Sequence, residues 1–103
     1  MDSKVKDSLD RYVDHLSQLT DCYVWGYDVG NKYIRVWHHF KDSSPTSRSK
    51  SVHSFVDKTN GDLYKPASWR APAKKVRFNL LTDWDTITRV SDPYGSYLYL
   101  YRG

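Results

Sequence analysis

A chain of 103 residues is the size of one domain; cut in two, neither part would enclose a core. Its 39% hydrophobic and 27% charged residues are the composition of a folded globular protein and exclude a disordered one. The formal charge is +4, and a single cysteine excludes an internal disulfide and any cysteine-rich zinc site.

The N-terminal stretch MDSKVKDSLDRYVDHL is polar and periodic, without the apolar segment of a signal peptide, and no later run is long enough to span a bilayer. Val5, Leu9, Tyr12, Val13, Leu16 and Leu19 recur at helical spacing, with Lys4, Asp7, Asp10, Arg11 and Asp14 between them. That pattern predicts an amphipathic helix over 4–19, of about four turns, capped by Asp2 or Ser3 and ended by Thr20-Asp21. Residues 22–41 alternate on both sides of Gly30-Asn31, a hairpin signal, because tight turns use positive φ values that these two residues tolerate. Residues 42–50 are polar, aperiodic and contain Pro45, and are expected as an exposed loop. A second hairpin is expected over 51–65, turned at Asn60-Gly61.

Pro66 and Pro72 break the pattern beyond, so any helix within the basic segment 66–81 is limited to a single turn. There Trp69 is expected to anchor a stiff loop by burial, with Phe78, Leu80 and Leu81 doing the same at its far end. Residues 83–90 are ambiguous in pattern, a short helix begun by Thr82 or Asp83 being one reading; 91–95 read as a turn, and the alternating 96–102 as a final strand. The fold class is α+β: an N-terminal amphipathic helix packed on a small antiparallel sheet of about five strands built from hairpins, in one domain.

Alternation sorts the strand residues into two faces. Ile34, Val36 and Phe40 oppose Tyr33, Arg35, Trp37 and His39. Tyr23, Trp25 and Tyr27 oppose Val24, Gly26 and Asp28, and Leu98 and Leu100 oppose Tyr97, Tyr99 and Tyr101. The aliphatic side suits the helix. The aromatic side is then either a second small core beneath residues 66–95 or an open binding surface.

Charge is unevenly spread. Residues 43–82 carry eight Lys/Arg against Asp57 and Asp62, whereas the flanking segments carry more Asp than Lys and Arg. Aromatic rings beside cations are the composition of a single-strand nucleic-acid platform, in which rings stack on bases and Lys/Arg follow phosphates. The candidate phosphate contacts are Lys65, Arg70, Lys74, Lys75 and Arg77. Tyr33, Trp37, Tyr97 and Tyr99 are the candidate stacking groups, with Arg35 among them. The signature of the RNA-recognition fold is absent.

Of the four histidines, His15, His38, His39 and His53, no two stand at helical i, i+4 spacing and no HExxH is present. His38 and His53 could meet across strands, which makes two ligands and not a metal centre. No nucleophile motif or phosphate loop occurs, so neither enzyme nor cofactor is expected.

His53, Phe55, Val56, Asp57, Thr59, Gly61 and Asp62 are followed by Tyr64-Lys65-Pro66-Ala67-Ser68-Trp69, Ala71-Pro72-Ala73-Lys74, Arg77 and Asn79, with Gly95, Tyr97, Leu98 and Tyr99 at the end. This pattern resembles a family of short, uncharacterised proteins of tailed bacteriophages, over roughly 32–103 and most specifically over 51–81. The resemblance implies a viral protein in the cytoplasm of an infected bacterium and carries no activity with it. The expected function is a non-enzymatic accessory protein binding nucleic acid. The alternatives are an effector docking on an acidic host protein and, less favoured, a minor virion component.

Overall fold

The computed structural model describes residues 3–41, 50–92 and 98. Helix α1 (Ser3–Leu19) precedes strands β1 (Tyr23–Val29), β2 (Tyr33–Phe40), β3 (Ser51–Asp57), β4 (Asp62–Pro66) and β5 (Pro72–Asn79), and helix α2 (Trp84–Val90) follows. The strands form one sheet in the order β1-β2-β3-β4-β5, each antiparallel to the next. This is the α+β architecture expected, an N-terminal helix on a five-stranded antiparallel sheet, with a further short helix.

The apolar stripe of α1 explains its seat. Val5, Leu9, Tyr12 and Leu16 are fully buried against Ile34, Val36, Val56 and Leu63, joined by Phe78, Leu80, Ile87 and Leu98. Burial of such side chains, worth about 1.5–3 kcal/mol each, fixes which face of the sheet is internal. Leu19, the last residue of the expected stripe, is 39% exposed, because the core stops a turn earlier.

The turn at Asn60-Gly61 forms as expected: Gly61 has φ +83, the left-handed region that favours glycine. Gly30 has no positive φ. It is needed for close approach, since a Cβ there would lie 2.9 Å from the Tyr33 carbonyl oxygen that its own N–H reaches.

Asn79 ties three elements together. Its Nδ2 donates to the Asn60 carbonyl and to Asp62 Oδ1, while its Oδ1 accepts from the Leu81 and Thr82 N–H groups. Its own N–H donates to Asp83 Oδ2, so the Asp83 carboxylate is turned back to β5 and does not cap α2.

One expectation is corrected. The segment 66–81 is mostly strand β5, not a loop with at most one helical turn, since Pro72 stands at the first position of the edge strand, where no ladder N–H is required. The loop at 42–49 lies outside the described residues, as does nearly all of the strand expected at 96–102. Its one described residue, Leu98, is helical and fully buried.

Candidate nucleic-acid interface

Residues paired across an antiparallel ladder point to the same side of the sheet. Tyr23, Trp25 and Tyr27 pair with Phe40, His38 and Val36, which places the β1 aromatics on the helix side. Tyr27 donates its hydroxyl proton to Asp10 of α1 at 3.0 Å. His38, not Phe40, completes the buried row of β2: Phe40 is 59% exposed at the strand end, against the Tyr23 ring.

The other side is built on Tyr33, Arg35, Trp37 and His39 of β2, flanked by Phe55 of β3 and Tyr64 of β4. Helix α2 does not cover it. Ile87 joins the core, Trp84 meets His15 and Arg11 of α1, and His15 Nε2 lies 2.9 Å from Ser91 Oγ, so α2 sits beside α1. The β4–β5 turn reaches the β2 aromatic row, and beside that row Phe55 (3% exposed) and Tyr64 (9% exposed) are buried.

That turn reaches Arg35. Backbone bonds from the Ala67 and Ser68 N–H groups to the Ala71 carbonyl curl residues 67–71, and the Trp69 ring centre lies 4.2 Å from the Arg35 guanidinium carbon. Arg35 donates through Nη1 to the Trp69 carbonyl at 3.1 Å and through Nη2 to Asp28 Oδ2 at 3.0 Å. Trp69 is 36% exposed, so it is a surface contact and not the buried anchor expected. Of the other anchors, Phe78 and Leu80 are buried and Leu81 is exposed.

Trp37 lies flat over Gly26, its cross-strand partner. A Cβ at that glycine would come within 2.4 Å of the indole. The Trp37 ring stacks on His39 (centroids 5.9 Å apart, planes at 13°), and Lys50 Nζ stands 4.1 Å from its centre. Lys32 Nζ is 5.4 Å from the Tyr33 ring centre, and that ring meets Tyr64 edge-on. Rings and cations therefore alternate across one face.

The five cations of the basic segment are not gathered. Arg70 stands at the β4–β5 turn facing the Arg35 cleft, whereas Lys74 and Lys75 are exposed on edge strand β5. Lys65 is half-buried in β4, and Arg77 occupies the register shift between Val76 and Phe78. Lysines on an outer strand have a purely structural use, keeping the free edge from pairing with another chain. Lys32 and Lys50, which the sequence did not single out, are nearer the rings. Tyr97 and Tyr99 lie outside the described residues.

Two concavities flank this framework. One, of about 230 Å³ at the β1–β2 turn, is lined by Asp28, Lys32, Tyr33, Arg35, Phe55 and Arg70 among others. The larger, about 540 Å³, lies between α1 and β1 and is lined by Asp10, Asp14, Tyr23, Trp25 and Tyr27 among others. Its carboxylates make it the wrong sign for phosphate.

His38 and His53 do meet, with ring centres 6.2 Å apart. Among the described residues no group of three His, Cys or Asp is placed to hold a metal. His53 is buried in a polar cluster. Its Nε2–H donates to the Asp92 carbonyl at 3.1 Å, which leaves Nδ1 to accept from Ser54 Oγ (3.0 Å) or the Tyr12 hydroxyl (3.4 Å). Burial, more than its neighbours, pushes the His53 pKa down to about 4, and lowers that of His38 as well.

A family model described as a family of unknown function (DUF7717) matches residues 1–100. The match includes α1, so the family unit is longer than the 32–103 over which the motif resemblance runs. No curated protein and no solved structure matches the chain.

Proposed function

We propose, for a chain that belongs to the DUF7717 family of unknown function, that the open sheet face binds single-stranded nucleic acid without catalysing a reaction on it. The observation that carries this reading is the pairing of three rings of this face with cations: Trp37 with Lys50, Trp69 with Arg35, Tyr33 with Lys32. Bases stack on such rings at about 1–3 kcal/mol each, and the adjacent cations take the phosphates. The bacteriophage resemblance supports a setting inside an infected bacterium, where single strands arise during genome replication.

The test is a fluorescence titration with a short oligodeoxythymidylate at rising salt. Affinity should fall steeply as salt displaces the phosphate contacts. Trp37→Ala should weaken binding by about 5- to 100-fold, the cost of one lost stack, with thermal unfolding checked alongside. Binding that is absent, or flat between low and moderate salt, overturns the proposal. The rival, docking on a host protein, draws support from the aromatic groove between α1 and β1, whose strand is an edge of the sheet among the described residues. Capture of one host protein that survives nuclease and is abolished by Trp25→Ala would favour it.

A further inference from the structure

Resting on the reading of the open face as a nucleic-acid platform, we infer that the cleft at the β1–β2 turn takes the terminal phosphate monoester of the bound strand. The platform runs along β2 from Trp37 to Tyr33, and the turn residues Gly30–Lys32 wall it off at the Tyr33 end. A strand laid along the rings reaches the cleft at its end.

Charge distinguishes an end from the middle of a strand. Lys32, Arg35 and Arg70 line the cleft with one carboxylate, Asp28, so its formal charge is +2. An internal phosphodiester carries one negative charge, whereas a terminal monoester carries close to two above its second pKa of about 6. The Asp28 carboxylate is already engaged by Arg35 Nη2 at 3.0 Å, which holds the guanidinium in place and blunts the one repulsive group.

Donors are available. Arg35 Nε is buried without a hydrogen-bond partner among the described residues, although both Nη atoms are used. A buried donor left unmade is costly, and an anion would satisfy it. Arg70 turns its backbone N–H to Ser68 Oγ, while its side chain makes no ion pair among the described residues. Tyr33 and Phe55 supply an apolar floor against which these charges act more strongly than in open water.

The experiment compares one short oligodeoxythymidylate carrying a 5′-phosphate, a 3′-phosphate or neither, with thymidine monophosphate and inorganic phosphate as competitors. A phosphate at one end should tighten binding about tenfold, as expected for added charge-assisted hydrogen bonds. Which end does so identifies the strand polarity. The increment should fade below about pH 6, where the monoester loses its second charge. It should also vanish in Arg70→Ala, measured against that variant's own affinity for the unmodified strand, and return in part in Arg70→Lys.

Salt-sensitive binding that gains nothing from a phosphate at either end overturns the cleft and leaves the platform standing. Loss of all oligonucleotide binding overturns the platform and this inference with it. Inorganic phosphate competing as well as the phosphorylated strand would show a free-anion site and overturn the strand-end assignment.

Discussion

Acid should loosen this fold well before Asp10 and Asp57 are protonated, and His53 is the reason. An unfolded chain binds a proton at histidine below its ordinary pKa of 6.5, whereas the buried ring resists until about 4. Between those values the unfolded state holds more protons, so stability rises with pH. The contribution is fully present above 6.5 and is lost as pH falls toward the folded value. At about pH 4.5 the linkage amounts to roughly 2–3 kcal/mol, taking about 1.4 kcal/mol per unit. Asp10 and Asp57 have lowered pKa values, so their losses come below the ordinary carboxylate value of 3.8, outside this window. His38, lowered in the same direction, adds to the effect. Urea unfolding followed by tryptophan fluorescence should show the midpoint falling by about 1–2 M between neutral pH and pH 4.5. His53→Gln removes the titrating ring; it should be less stable at neutral pH and much flatter across this window. A wild-type midpoint constant over the same range, or an equal fall in His53→Gln, would refute the argument.

Two further substitutions examine the sheet. Gly26→Ala must lift the Trp37 indole, whose Cζ2 lies 2.4 Å from the new Cβ; overpacking of this kind costs about 1–3 kcal/mol, seen as a lower urea midpoint with a changed Trp emission. Asn79→Ala removes the side-chain clamp on the Asn60 carbonyl, Asp62 and the Leu81 and Thr82 N–H groups while keeping the backbone bond to Asp83, and should cost about 1–3 kcal/mol in the same assay. Asn79→Asp should be worse, because it sets a second carboxylate against Asp62 where an amide donor stood.

The helix and the first four strands were legible because each depends on local rules. A stripe at Val5, Leu9, Tyr12 and Leu16 has one packing solution, and Asn60-Gly61 admits few backbones. β5 was hidden by its own chemistry. An outer strand needs to bury little, so Lys74, Lys75 and Val76 stay exposed and no alternation survives to be read. The side taken by Tyr23, Trp25 and Tyr27 was also out of reach, since it follows from the Trp25–His38 pairing and not from either strand alone. Nor could alternation anticipate His53, which faces the core next to Ser54 because the register slips between Val36 and Trp37.

The same distinction governs the charges. Counted along the chain, the basic excess falls wholly within 43–82, and Lys32 and Arg35 belong to a segment where Asp outnumbers Lys and Arg. Folding redistributes that balance. α1 carries Asp7, Asp10 and Asp14 on the far side of the sheet, while Asp28 stays beside Arg35. The β4–β5 turn then brings Arg70 and Trp69 to the same place. Electrostatic attraction acts over about 10 Å at physiological salt, so spatial neighbours set the local field and sequence neighbours do not. Lys74 and Lys75, the most conspicuous pair in the sequence, stand on the edge strand and can guard it without touching a ligand. The proposed binding face therefore comprises Lys32, Arg35, Lys50 and Arg70 around Tyr33, Trp37 and Trp69, a group assembled from three separate stretches of chain.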